Sequence, residues 1–163
     1  MGLPIAANLL KAGYRLRIYN RTPEKAATLV EQGAIRVNQA AEVVEPNGII
    51  FTMVADDAAL EEVALADPAF TERLGKGGIH VSMSTISPGT ARRLDALHRE
   101  RGAIYLSAPV IGRPDRAAAA ALFILLAGPS AAKTAVEPVL RRIGNRSLTL
   151  VSNPGWPTSR NWP

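Results

Sequence analysis

Short runs of β-branched and other apolar residues alternate along this chain with longer, alanine-rich stretches whose apolar positions recur at helical spacing. That alternation predicts strand and helix units around a mostly parallel sheet. The spacing predicts a helix over Leu3–Lys11, stopped at Gly13 by a left-handed cap, and then a strand over Arg15–Tyr19 with Leu16 and Ile18 on one face. Thr22 as a cap and Pro23 at the first position predict a helix to Gln32, ended by Gly33, and a second helical stretch covers Gln39–Glu45 and stops at Pro46. Gly48–Val54 (GIIFTMV) is continuously apolar, as a strand buried on both faces would be. Asp56–Ala64 reads as helix, Ile79–Met83 as strand, and Ser87-Pro88 opens a helix reaching to about Arg101. Ile104–Ala108, Leu122–Ala127 and Ser147–Val151 supply the later strands, with a helix over Ser130–Ile143.

With 163 residues, 47% of them hydrophobic and 20% charged, the chain has the size and balance of one domain. The expected division is residues 1–151 as that domain and 152–163 as an irregular tail rich in Pro, Gly, Asn and Ser. No apolar run reaches eighteen residues and no basic segment leads into an apolar stretch with a cleavage site, so the expectation is no membrane span, no signal peptide and a cytoplasmic location. Cysteine is absent, which excludes disulfides, thiolate metal ligands and cysteine nucleophiles. The formal charge of +5 comes from scattered arginines, and aromatic residues are few. Such a pattern favours small anions over nucleic acid.

Two places carry candidate chemistry. Met1-Gly2 leads straight into a helix, whose N-terminal amides and dipole favour an anion, although the strand and glycine turn that would complete a pyrophosphate loop do not precede it here. The second predicted strand ends in Asn20-Arg21-Thr22, the position that faces the adenine ribose in a dinucleotide-binding unit. An acidic residue there would repel a 2′-phosphate, whereas a guanidinium flanked by small hydrogen-bonding side chains would pair with one. A solvated turn arginine is the plain alternative.

Four spaced motifs, MGLPIAANLLKAGYRLRIYNRTPEKA at Met1–Ala26, FTMVADDAALEEV at Phe51–Val63, STISPGTARRL at Ser84–Leu94 and APVIGRPDRAAAAALFILLAGP at Ala108–Pro129, together resemble the β-hydroxyacid dehydrogenases, relatives of 6-phosphogluconate dehydrogenase. The resemblance implies an α/β, Rossmann-like, doubly wound and mostly parallel sheet lacking its first strand, without the family's all-α C-terminal domain. It also implies an NAD(P)-dependent oxidoreductase that moves hydride to or from a small β-hydroxyacid or related carbonyl compound, with NADP preferred to NAD. Carried over position by position, Gly2 matches the last glycine of the phosphate loop, and Asn20, Arg21 and Thr22 match the NADP-selecting turn. Met53, Val54 and Ala55 match the strand end bordering the cofactor, Thr85 a threonine near nicotinamide and substrate, and Gly112 the one retained residue of a substrate-carboxylate loop. Ile111 and Arg113 depart from that loop's Ser-Gly-Gly, and Ser82 stands where many members have Asp.

The family's proton-transferring lysine lies on a helix after the nucleotide domain, and none of Lys11, Lys25, Lys76 and Lys133, all read as surface residues, falls there. The expectation is therefore a cofactor-binding fragment without a catalytic residue of its own and inactive by itself. A frameshifted or truncated gene would account for the change of composition after Val151. A non-catalytic cofactor- or protein-binding module, or a pseudogene product, is the alternative. Expected partners are a small carboxylate or carbonyl substrate and, in the family, copies of the same protein joined through the C-terminal domain; neither nucleic acid nor membrane is expected. Loss of a central strand also predicts marginal stability unless the remaining strands close the gap.

Overall fold

The computed structural model describes residues 1–149. Helix α1 (Gly2–Lys11) is followed by β1 (Arg17–Ile18), a 3-10 turn at Pro23–Ala26 continuing into α2 (Ala27–Glu31), β2 (Ile35–Arg36), and a second 3-10 turn at Ala40–Val43. Then come β3 (Ile49–Thr52), α3 (Asp57–Ala64), α4 (Pro68–Leu74), β4 (Ile79–Ser82), α5 (Pro88–Glu100) and β5 (Ile104–Ser107). The chain continues through β6 (Val110–Ile111), α6 (Pro114–Ala118), β7 (Leu122–Leu126), α7 (Ser130–Leu140) and β8 (Gly144–Thr149). The last predicted strand thus begins earlier than Ser147, and its end at Leu150 and Val151, like the tail, lies outside the described residues.

The architecture is Rossmann-like, with one difference from a continuous sheet. Strands fall into three hydrogen-bonded groups: β1 parallel to β2, β3-β4-β5 all parallel, and β6-β7-β8 with β6 antiparallel and β8 parallel to β7. A single antiparallel bridge, Ser107 to Ala127, ties β5 to the third group. No such bridge joins β1 to β3 among the described residues, so the expected gap in the sheet stays open.

Side-chain alternation along the strands separates two cores, as period-two geometry requires. Ile79, Val81 and Met83 of β4 and its end, with Leu106 and Ala108, pack with Ile5 and Leu9 of α1 and with Ala132, Val136 and Leu140 of α7. On the opposite face Ile50, Ala103 and Tyr105 pack with Leu60 and Ala64 of α3, Phe70 and Leu74 of α4, and Ala91 and Leu94 of α5. Helices on both faces leave β4 buried along its whole length. Lys133 departs from expectation: it lies on the inward side of α7 and is only 7% exposed.

Local signals explain where the elements begin and end. Ser87 caps α5 by accepting from the Thr90 amide, with Pro88 at the first position, as the sequence predicts. Asp56 does the same for α3 through Ala59, and Asp67 caps α4 through Ala69. Gly13 and Gly33 end their helices at φ of 89° and 98°, in the left-handed region glycine tolerates. Thr22, by contrast, makes no side-chain cap, and the turn it opens is 3-10 before it becomes α-helical.

Candidate functional site

The gap between β1 and β3 forms a cleft of about 1200 Å³. Its walls are the two strands, with Leu16, Ile18, Phe51 and Thr52 among the lining residues. Met1, Gly2, Ile5 and Leu9 of the α1 segment cover one side. Gly2, Asn20, Met53 and Val54, four of the expected cofactor residues, line this cleft together. Gly2 packs on the end of β3: a Cβ built on it would lie 3.7 Å from Met53 Cβ, an ordinary contact, and its φ is not in the left-handed region. Glycine at position 2 is therefore not required by the packing of this chain.

Met1 occupies the N-cap of α1 and supplies no side-chain acceptor, so the first-turn amides of that helix have no side-chain cap. The turn after β1 is shaped locally: the Thr22 amide donates to Asn20 Oδ1 at 3.0 Å, which holds the Asn20–Thr22 segment in an Asx-type turn. All three residues are exposed. Arg21 is paired only loosely, its Nη1 lying 3.8 Å from Glu62 Oε2 on α3, and the two side chains are 79% and 63% exposed. An ion pair so long and so wet contributes little and is readily exchanged for another anion. Arg17 and Glu45, 2.7 Å apart, bridge the two sides of the cleft at its rim.

The ends of β3 and β4 are fastened by Ser84, whose Oγ accepts from the Val54 amide at 2.8 Å. This places Thr85, which is exposed, beside the Met53-Val54 strand end, although neither Thr85 nor Ala55 lines the cleft. A second fastening joins α3 to the start of α5: the Ser87 amide donates to Asp57 Oδ1 at 2.9 Å and holds the Asp57 carboxyl below the usual carboxylate range. Thr90 Oγ1 donates to Glu61, which is also paired with Arg93. Gly112 is not part of the cleft. It follows β6 at φ 153°, a conformation side chains rarely adopt, and the end of the Leu122 side chain lies 2.8 Å from where a Cβ would stand, so the backbone there favours glycine. Lys25, read as a surface residue, does line the cleft.

Sequence reading missed the most polar feature of the interior. Thr52 Oγ1 lies 2.8 Å from His80 Nε2, His80 Nδ1 lies 3.0 Å from His98 Nε2, and His98 Nδ1 lies 2.7 Å from the Leu94 carbonyl. Because a carbonyl can only accept, His98 Nδ1 carries its proton; neutral His98 then accepts at Nε2 from His80 Nδ1, and His80 Nε2 accepts from the Thr52 hydroxyl. Both rings are wholly buried, and burial lowers the pKa of each, His80 well below its ordinary value, with the neighbouring His98 adding to the effect there. At His98, the Leu94 carbonyl and Asp95 partly oppose the shift. Beside the pair, burial pushes the Tyr105 hydroxyl up to about 12, partly offset by Ser82, and neither hydroxyl makes a hydrogen bond of normal geometry. A histidine inside a strand that reads as buried along its whole length was the available signal.

Comparison with known proteins fits this arrangement. Residues 1–152 match the family model described as the NAD binding domain of 6-phosphogluconate dehydrogenase. An uncharacterized oxidoreductase of Bacillus subtilis is 46% identical over 140 residues, covering 86% of this chain and 49% of the relative. The 2-hydroxy-3-oxopropionate reductase of Escherichia coli is 37% identical over 155 residues, covering 95% and 52%. Among solved structures, a 3-hydroxyisobutyrate dehydrogenase of Mycobacterium tuberculosis superposes with a TM-score of 0.84 at 28% identity, over 91% of this chain and 50% of that one. The chain spans about half the length of the curated relatives it matches. It belongs to the NAD(P)-binding domain family shared by 6-phosphogluconate dehydrogenase and the β-hydroxyacid dehydrogenases.

Proposed function

We propose that this domain binds NADP in preference to NAD, as the nucleotide-binding part of an oxidoreductase acting on a small β-hydroxyacid or carbonyl compound in the cytoplasm. The observation that carries the reading is the Asn20-Arg21-Thr22 turn: it stands at the end of β1, contains no carboxylate, and presents an exposed guanidinium whose ion pair among the described residues is the long contact to Glu62. A 2′-phosphate there would find a charge-assisted partner, with Asn20 and Thr22 beside it as smaller hydrogen-bonding groups. The donor set fits the rest of a dinucleotide as well. The first-turn amides of α1 and the polarity of that helix suit a phosphate, and Met53 and Val54 offer an apolar border to the nucleotide, with Ala55 following them outside the cleft.

When bound, such a cofactor supplies or accepts the hydride. Thr85, which follows the Ser84 that fastens the strand ends and is exposed, is assigned the role of orienting what lies beyond them. Gly112 sits apart from the cleft, so a contribution to substrate requires the β6–α6 loop to be reached from outside it.

The test is the affinity of Arg21→Ala for each cofactor. Hydrogen bonds to charged groups contribute about 1.5–3 kcal/mol, so NADPH affinity is expected to fall about ten- to hundredfold while NADH affinity stays within about twofold. Equal losses for both cofactors, or none, would refute the assignment.

A further inference from the structure

The loops that follow β3 and β4 are joined to each other in register. The Val54 amide donates to Ser84 Oγ at 2.8 Å, and three residues further along each loop the Ser87 amide donates to Asp57 Oδ1 at 2.9 Å. The register continues into the helices beyond: Thr90 Oγ1 of α5 donates to Glu61 of α3 at 3.1 Å, and Arg93 of α5 pairs with the same carboxylate. Between the first two ties lie Thr85 and Ile86. Ser84 is buried and Ile86 packs against the core that α3, α4 and α5 share, whereas Thr85 is exposed. Thr85 is therefore presented from a segment anchored on both sides, at the carboxyl end of a parallel sheet, where doubly wound folds take their ligands.

The tie at Asp57 has a clear cause. Ser87 is the N-cap of α5, so its amide finds no acceptor within that helix, and the carboxylate across the loop supplies one. Asp57 stands in the first turn of α3, where the helix dipole favours negative charge. The Ser87 amide, and then the Thr90 hydroxyl, hold it in the ionised, acceptor-only form.

We propose that Asp57 is a positioning residue for the cofactor site: through the Ser87 amide it fixes the Thr85 segment against the Met53-Val54 strand end, so that the nicotinamide half of a bound dinucleotide meets a preformed edge. The ligand in this inference rests on the NADP reading, and the geometry on the paired loops. Without the Asp57 acceptor, the Thr85–Ser87 segment keeps the Ser84 tie alone at its start and must be ordered on binding, which weakens affinity.

Isothermal titration of the full chain compares Asp57→Ala and Asp57→Asn with the parent, using NADPH and 2′,5′-ADP, which lacks the nicotinamide half. In Asp57→Ala, NADPH affinity is expected to fall about two- to tenfold, the worth of one net hydrogen bond, while 2′,5′-ADP affinity stays within about twofold. Asp57→Asn keeps an acceptor at Oδ1 and is expected to bring NADPH affinity back to within about twofold of the parent. Equal losses for both ligands, as a generally weakened fold would give, overturn the proposal. So does an undiminished NADPH affinity in Asp57→Ala, or no recovery in Asp57→Asn. Hydrogen exchange without nucleotide gives a second arm: the Ser87 amide is expected to exchange faster in Asp57→Ala than in the parent and Asp57→Asn, and equal rates also overturn it. A parent that binds NADH as tightly as NADPH refutes the NADP preference alone, and the Asp57 comparison is then read with NADH against 5′-AMP.

Discussion

Acid should destabilise this domain through His80 and His98, and the effect can be isolated because these are the two histidines in the sequence. In the fold both must be neutral: His98 Nε2 accepts from His80, His80 Nε2 accepts from Thr52, and neither ring meets water. Both folded pKa values lie below the ordinary histidine value. The unfolded chain therefore takes up protons first as pH falls below about 6.5, and stability present above that value is lost below it. For a histidine that stays neutral in the fold, going from pH 7 to 5.5 costs about 1.2 kcal/mol by this linkage. His80 should deliver that loss and His98 part of the same, so the sum is between about 1.2 and 2.5 kcal/mol. Ordinary carboxylates titrate lower, which keeps the window clean. Urea unfolding at the two pH values measures it, with the slope of free energy on denaturant checked for constancy. His80→Phe, which keeps an aromatic ring between Phe70 and Tyr105, should remove the His80 share of the pH dependence. Equal stability at pH 7 and 5.5, or an unchanged pH dependence in His80→Phe, would refute the proton assignment.

Two further outcomes follow from single contacts. Glu62→Gln removes the carboxylate that competes for Arg21, and NADPH affinity should rise about two- to fivefold, as expected for an exposed pair worth up to about 1 kcal/mol; isothermal titration reads it, and a fall in affinity would contradict it. Gly112→Ala places a methyl against Leu122 at a φ that side chains rarely adopt, so thermal unfolding should show a loss of about 1–3 kcal/mol.

Elements buried on two faces were the most legible. The Gly48–Val54, Ile79–Met83 and Leu122–Ala127 runs mark β3, β4 and β7 because apolar residues dominate strands packed between helix layers, although Ile49 of β3 stays exposed and β4 carries His80 and Ser82 on one buried face. Ser87-Pro88 marked α5, and the same grammar in Asp67-Pro68 marks α4, which was passed over because its apolar stretch is only seven residues long. β2 and β6 have two residues each, too few for any period, and α6 hides in the alanine run. Of the candidate site, Asn20-Arg21-Thr22 was legible from its place at a strand end. The Glu62 contact, the Ser84–Val54 fastening and the His80–His98 pair join residues 41, 30 and 18 positions apart, which only the tertiary fold brings together. The separation of Gly112 from the cleft was likewise set by how β6 pairs with β7.

The central claim is that the turn after β1 and the start of α1 hold the two ends of an NADP adenosine moiety. Amide chemical-shift mapping of the full chain with 2′,5′-ADP tests it most directly. The account predicts saturable shifts at Gly2, at Asn20–Thr22 and at Met53-Val54, with much smaller ones when 5′-AMP replaces the probe. Shifts confined to other surfaces, or equal responses to the two nucleotides, would contradict it.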